Sequence, residues 1–585
     1  MRLPSLVACL LPMMLFSSLP AQQSADRKHT QLEAMFAEEW QAELRESPEM
    51  ATSTGDKRYN DLLDDHSPQA YAAVTERKRD MLKKFDAVPA NDLSPQDALS
   101  LNLMIRNLRT DIEGAQFKSW EMPVNQFGGP HTGMVYLTSL MPFDDVRDYE
   151  NYLSRLHKIP VAFDQITANM RQGMRDHLVQ PRFLLEKAAR QAQDIAKMSV
   201  DASPFAKPAE RFPASISSAD QQRLRTSITA AVRNEVIPAY MKFADFLSKE
   251  YAPAGRPDPG VWALPDGDAR YRFAIRQMTT TDLTPEQIHQ IGLKQLAQTE
   301  AEMLALAKEL GYKDLASLNE HIKQDRALYA KSGQQLLDLY TKYARQMEAQ
   351  LPKLFGILPK NKLVIIPMDE FRAKDSVPAD YTPGASDGSR PGRINVNEWD
   401  PEHRLLLNLE AIAYHEGVPG HHLQFSIAQE LKGVPEFRRN GDYTAFTEGW
   451  ALYSERLGKE IGFYEDPYSN YGRLENEMWR CIRLVIDTGV HSKHWSRDQM
   501  VEYFHRYTAM DEPNIQTEVD RYIAWPGQAL AYKLGQLDIL KLREEAKKKL
   551  GDKFDLRAFH DQIVGNGPLP LDVMDAQFET WLAKQ

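Results

Sequence analysis

Apolar residues recur along most of this chain at spacings of three and four, with charged and amide side chains between them, which is the pattern of amphipathic helices. In "SPQDALSLNLMIRNLRTDIEGAQ", Ser94 stands where an N-cap belongs and Pro95 at the first helical position. Leu99, Leu101, Leu103, Ile105 and Leu108 follow at mainly helical spacing. "TPEQIHQIGLKQLAQTEAEMLALAKELG" repeats the device: Thr284 caps, Pro285 follows, Gln287 occupies the capping-box position and Gly311 fits the stop. Comparable runs lie near 146–175, 181–198, 219–249 and 333–350, and no fixed-period repeat relates them.

Two stretches interrupt the helical pattern. "YAPAGRPDPGVWALPDGD" (251–268) is rich in Pro and Gly and predicts a surface connection. "KLVIIPM" and "GRINVN" predict short strands: Val364, Ile365 and Ile366 are β-branched, and Ile394 and Val396 alternate with Asn395 and Asn397. The segment between them, "DYTPGASDGSRPG", predicts a turn-rich loop. The expectation is a mainly α fold with a small β-sheet, divided into an N-terminal helical half (22–355) and a C-terminal half (356–585) that carries the candidate chemistry.

Composition narrows the class. With 585 residues, 42% hydrophobic and 26% charged, the chain reads as an ordinary large globular protein. A net charge of -11, dispersed rather than clustered, argues against a nucleic-acid partner. The N-terminus has Arg2, an apolar stretch from Leu3 to about Leu19 and the small residue Ala21, which predicts a signal peptide over 1–21 and a periplasmic or secreted location. "LVAC" at Leu6–Cys9 has the form of a lipoprotein cleavage box, but almost no apolar segment precedes Cys9, which counts against lipid anchoring. No later run reaches the ~18 apolar residues of a membrane span. Cys481, in the apolar run "MWRCIRLVID", reads as a small buried hydrophobe rather than a nucleophile.

The candidate chemistry sits in "AYHEGVPGHHLQ". His415 and Glu416 begin the zinc-peptidase pattern H-E-x-x-H, but the next histidines, His421 and His422, come six and seven residues later. On a regular helix the sixth residue lies about 9 Å along the axis and the seventh about 10.5 Å, too far to share one ion comfortably. Pro419 forbids a regular helix here, and Gly417 and Gly420 permit unusual backbone angles, so extra residues could bulge out and bring a later histidine into the ligand position. The plainer alternative is that one helix ends at His415 and another starts at His421 with no metal between them. A carboxylate supports the metal reading: Glu448 in "YTAFTEGWALYSERLG" follows His421 by 27 residues and would complete a His₂Glu set with an open fourth position. Glu416 would then be the general base. Glu455 is the rival carboxylate and reads as a surface or supporting charge.

With these motifs in view, the chain resembles the bacterial domain-of-unknown-function family numbered 885, whose members look like His-Glu-His…Glu zinc peptidases. The resemblance is carried by "YHEGVPGHHLQ", "FTEGWALYSERLG", "DTGVHSKHWSRDQ", "RYIAWPGQALAYKLG", "SRPGRINVN" and "VWALPDGDARYRFAIRQMTTTDLTPEQIHQIG", and covers most of the mature chain. It implies a two-lobed, helical, zinc-peptidase-like fold with the sheet beside the metal-binding helix. It also implies a Zn2+ cofactor on His415, His421 and Glu448, and a peptide substrate hydrolysed by zinc-activated water. Gly420-His421 is similar to the second-ligand end of the thimet oligopeptidase motif, which favours His421 over His422. "VDRYIAWPGQALAYKLG" resembles the segment of angiotensin-converting enzyme in which an Arg-Tyr pair faces the zinc. That would make Tyr522 the oxyanion donor with Arg521 beside it at the substrate, although Pro526-Gly527 interrupts the helix here; Tyr532 is the rival. His491 is expected to reach the cleft, and "GRINVN", ending in Asn397, to hold the substrate backbone as an added strand. Hydrolysis of another amide, such as a cell-wall peptide or a modified amino acid, and a non-catalytic binding protein are the competing readings.

Overall fold

The computed structural model describes residues 19–89, 93–374 and 376–585; most of the expected signal peptide, including Cys9, lies outside the described residues. The architecture is mainly helical with one three-stranded sheet. The caps read from the sequence are in place. Ser94 Oγ accepts from the Asp97 N–H ahead of the helix Pro95–Ala115, and Thr284 and Gln287 form a reciprocal capping box ahead of Pro285–Glu309. Each such cap contributes about 1 kcal/mol. The runs near 146–175, 181–198 and 333–350 form the helices Val146–Arg175, Arg182–Lys197 and Gly333–Glu348.

The 251–268 connection is only partly on the surface. Its Arg256 is buried and donates to the carbonyls of Val179 and Asp258, while Trp262 Nε1 donates to Val490 O at 3.1 Å. Backbone groups freed by Pro and Gly are paired with a guanidinium and an indole rather than with water.

Hydrophobic packing crosses position 355. One core joins Leu32, Phe36, Met81 and Leu103 to Tyr414, Trp450, Phe559 and Phe578. A second lies wholly within Val124–Ala252. The N-terminal helices therefore belong to the same packed body as the C-terminal ones, and 124–252 is the stretch that makes a core among its own residues.

The sheet runs β1 (Leu363–Pro367), β2 (Ala379–Thr382) and β3 (Gly392–Val396), in the order β1-β3-β2. β3 pairs parallel with β1 and antiparallel with β2. "GRINVN" is thus the central strand with both edges occupied and cannot accept another strand. The edge strands are β1 and β2, and β2 lies mostly within the segment read as a loop. Pro378 O accepts from Asn397 N–H at 3.0 Å, so by antiparallel alternation Ala379 and Tyr381 turn their backbone groups away from β3.

The helix that carries His415 and Glu416 starts at Leu409. Residues 404–406 are drawn into a bridge with 328–330, where Ala330 N–H donates to Arg404 O and Leu406 N–H to Leu328 O. The helix Pro467–Ser492 is buried along most of its length and packs against Pro285–Glu309. The helices Thr444–Glu460 and Gln528–Leu550 meet backbone to backbone: a Cβ on Gly449 would collide with Gly535, and one on Gly535 with Ala445 O.

Candidate metal centre

The His-Glu helix Leu409–Glu416 stops at Glu416, and a second helix, His421–Gln429, starts at His421. The four residues between them fold into a tight excursion. Gly420 N–H donates to Tyr414 O and His422 N–H to Gly417 O, both at 3.0 Å, and the Val418–Pro419 bond is cis. A Cβ on Gly420 would overlap His415 O, so only glycine closes this turn. Trp450 Nε1 donates to Pro419 O at 2.8 Å and ties the excursion to the helix that carries Glu448. Both sequence alternatives are thus partly realised: the helix does break, and the break brings the His415 and His421 rings to 4.8 Å.

His415 Nε2 and His421 Nε2 each lie 3.4 Å from Glu448 Oε2. That separation exceeds the about 2.7–2.9 Å of a charge-assisted hydrogen bond. It matches the about 3.3–3.4 Å between neighbouring ligands that sit 2.0–2.1 Å from a tetrahedral zinc. His415 Nδ1 pairs with the buried Glu455 Oε1 at 2.8 Å, which leaves the Nε2 lone pair facing Glu448. Glu448 Oε2 is buried without a hydrogen bond, and so is His421 Nδ1. Lone pairs converging on one point, with a carboxylate oxygen unsatisfied beside them, fit a divalent cation. Burial pushes the Glu448 carboxyl up, but the two imidazoles outweigh it and hold it well below the usual range. Glu455, expected as a surface or supporting charge, is a supporting one that orients the His415 ring.

Glu416 has its carboxyl on a chamber of about 300 Å³ that His415, His421 and Glu448 also line. Burial pushes its pKa up to about 8; His421 pulls it down and Glu448 adds to the rise. His422 points elsewhere, its Nδ1 at 3.0 Å from Tyr381 Oη and its Nε2 at 3.1 Å from Asn361 O.

Three other expectations are corrected. Tyr522 does not face the centre. Its hydroxyl accepts from Trp479 Nε1 (2.7 Å) and Arg483 Nε (2.8 Å) and donates to Glu518 (2.5 Å), which uses its full capacity. Trp525, Pro526 and Gly527, the last at φ +82°, end one helix and start the next, so Tyr532 is delivered instead. The Tyr532 ring stacks 6.2 Å from His415, and its hydroxyl accepts from Arg521 Nη2 at 2.8 Å and Gln528 Nε2 at 3.3 Å, keeping its own proton for the chamber. Arg521 does line the chamber, as expected. His491 is buried away from it: Val261 N–H donates to Nδ1 at 3.0 Å and Nε2 donates to Tyr522 O at 2.9 Å, and burial pushes its pKa down to about 3. Asn397 is buried, its Nδ2 donating to the carbonyls of Ala373, Ser376 and Val377; it secures the loop before β2 rather than a substrate.

Arg480 and Arg483, overlooked around Cys481, also line the chamber. The signal was there: two arginines three apart in the apolar run "MWRCIRLV" need buried partners. Cys481 is the buried, unreactive thiol expected, its pKa pushed up to about 11 by burial. Val377–Tyr381 form one rim of the chamber. A second cavity of about 610 Å³ shares Asp442 and Glu448 with it, and Met122, Pro123 and Asn125 of "MPVNQFGGPHTG" line its wall.

The chain belongs to the family described as "Bacterial protein of unknown function (DUF885)", which matches residues 48–578. Among solved structures it is similar to "the putative lipoprotein from Colwellia psychrerythraea", with 28% identity, a TM-score of 0.90, and 95% of this chain and 100% of that chain covered. It also resembles "a putative lipoprotein of unknown function from Shewanella oneidensis" at 18% identity and TM-score 0.69, over 95% of this chain and 99% of that one. No curated protein matches it. Among the described residues no helix is long and apolar enough to cross a membrane.

Proposed function

We propose that the protein is an exported zinc-dependent peptidase acting on oligopeptides. The observation that carries this reading is the convergence of His415 Nε2 and His421 Nε2 on Glu448 Oε2 at 3.4 Å, beside a free glutamate on a chamber. A zinc ion held by these three side chains would supply Lewis acidity and a water of lowered pKa. Glu416 takes the proton from the attacking water and returns it to the leaving amine. Its elevated pKa suits the second step, and a cation nearby would lower it for the first. The Tyr532 hydroxyl donates to the developing oxyanion, with Arg521 fixing its orientation. The outward backbone groups of Ala379 and Tyr381 hold the peptide as a fourth strand. Two adjoining cavities of about 300 and 610 Å³ suit a peptide better than a folded protein and support a two-lobed, cleft-bearing reading of the fold.

Both solved relatives are described as lipoproteins, and Cys9 follows Leu6-Val7-Ala8, so lipid attachment at Cys9 joins the proposal as the form of export in place of cleavage near Ala21. The intact mass of the mature N-terminal peptide separates the two.

The test of the main reading is zinc content and peptide cleavage of the wild type beside Glu416→Gln. One zinc per chain in both, with cleavage lost by about 10²–10⁴ in the variant, is expected. Absence of zinc from the loaded wild type would end the reading.

A further inference from the structure

The chamber wall beyond Tyr532 carries three guanidinium groups. Arg483 Cζ lies 4.3 Å from the Tyr532 ring centroid, Arg521 Cζ 5.9 Å and Arg480 Cζ 6.0 Å. Arg480 and Arg483 are almost wholly buried, with side-chain exposures of 5% and 2%. Only two carboxylates stand behind the three cations. Glu455 faces Arg480 at 3.3 Å and is shared with His415; Glu518 faces Arg483 at 3.0 Å and Arg521 at 3.6 Å. Each arginine also keeps one buried N–H with no acceptor: Nε of Arg480, Nη1 of Arg483 and Nε of Arg521.

Three guanidinium groups around one ring, set against two carboxylates, leave one cation without a carboxylate of its own, which is costly away from water. The aromatic faces of Trp479 and Tyr532 offset part of the cost, since Arg480 and Arg483 stack on Trp479 at 4.4 and 4.5 Å. Stacking does not supply the missing acceptors. The four acidic side chains that line the chamber are otherwise engaged or set on other walls: Glu448 faces the two histidines, Glu416 follows His415, Asp380 is paired with Arg372, and Asp442 accepts from Thr447 Oγ1.

We propose that Arg480, Arg483 and Arg521 form a carboxylate-binding subsite at the Tyr532 end of the chamber. A planar carboxylate matches the geometry of guanidinium groups and supplies the negative charge that two carboxylates leave unbalanced among three cations. Every linear peptide owns such a group at its C-terminus, and an Asp or Glu side chain presents the same chemistry. Resting on the peptidase reading, this makes the substrates peptides whose scissile bond lies close to a carboxylate, and the terminal one would make the enzyme trim from the C-terminal end.

Three pools of random N-acetylated pentapeptides test it: uncharged sequences as free acids, the same sequences as C-terminal amides, and amides containing one Asp or Glu. Retention by zinc-loaded Glu416→Gln protein is read by ultrafiltration and mass spectrometry, and consumption by the wild type in parallel. Free acids are expected to be retained about tenfold or more over plain amides. Adding Arg521→Gln should shrink that ratio below about twofold; an undiminished ratio would remove Arg521 from the subsite. Acidic amides retained as well as free acids would support the subsite with a side-chain carboxylate as its ligand. Equal retention of acids and plain amides would overturn it, whatever the variant does. Acids retained but no pool consumed would keep the subsite and end the peptidase reading. Pools consumed at equal rates, with equal retention, would do the reverse.

Discussion

Glu448 and Glu518 are both carboxylates buried between helices, and both are held below their usual pKa against burial. Their surroundings differ. Glu518 is met by Arg483, Arg521 and the Tyr522 hydroxyl, which are cations and a donor the chain itself provides. Glu448 is met by two imidazole nitrogens, one of which has its proton committed to Glu455. Glu518 is paired with cations of the chain itself, whereas Glu448 Oε2 is left without a donor. The difference sets a carboxylate paired within the fold against one that, on the proposed reading, pairs with a zinc ion.

The largest contrast comes from amidating each carboxylate. Glu448→Gln is expected to abolish zinc binding and peptide cleavage while leaving the metal-free protein as stable as the wild type or more so. Glu518→Gln should keep its zinc and lose about 3–5 kcal/mol, because Arg483 would be left buried without its partner. Metal analysis with denaturant titration reads both, and zinc retained by Glu448→Gln would collapse the distinction. The tyrosines give the next effect. Tyr532→Phe should lower kcat by about 10²–10³ with stability little changed. Tyr522→Phe should cost about 1–3 kcal/mol of stability, by stranding Trp479 Nε1 and Arg483 Nε, with no loss of the oxyanion contact. The reverse pattern would restore Tyr522 as the donor. Glu455→Gln is expected to weaken zinc affinity by about 10–100-fold, measured by chelator competition.

The last effect is on pH dependence. His491 stays neutral in the folded protein down to about 3, whereas the unfolded chain takes a proton near 6.5. The unfolded state binds more protons between these values, so this residue's contribution is present at neutral pH and is lost as pH falls through that window. His491→Gln should therefore lose stability less steeply from pH 6.5 to 4 than the wild type, by up to about 1.4 kcal/mol per pH unit. Parallel slopes would mean that His491 is already charged in the fold.

Helices and their caps were legible because the signals at Ser94, Pro95, Thr284 and Gln287 are local. His415, His421 and Glu448 were legible as candidates because they follow one another along two neighbouring segments, while the preference for His421 over His422 came from the resemblance and not from spacing. β2 escaped because four residues, Ala379–Thr382, carry no periodicity that stands out from the turn residues around them. That error passed to the next step, since with β2 missed the central strand was taken for the open edge. Tyr522 and Tyr532 lie on either side of the Trp525–Gly527 break, and only the angle between their helices decides which hydroxyl meets the chamber. Arg480 and Arg483 carried a local signal, but the assembly of the arginine wall depends on contacts with residues 455, 518 and 521 that no local pattern encodes.

Gly449 and Gly535, where two helices touch without side chains between them, sit one and three residues from Glu448 and Tyr532. The separation of the ligand and the hydroxyl is therefore set by main chain against main chain. Repacking elsewhere in the core has little leverage on it. The same contact leaves no room to adjust: a single methyl group at either glycine would push the carboxylate and the phenol apart together. The site is buffered against mutations all around it and brittle at those two positions.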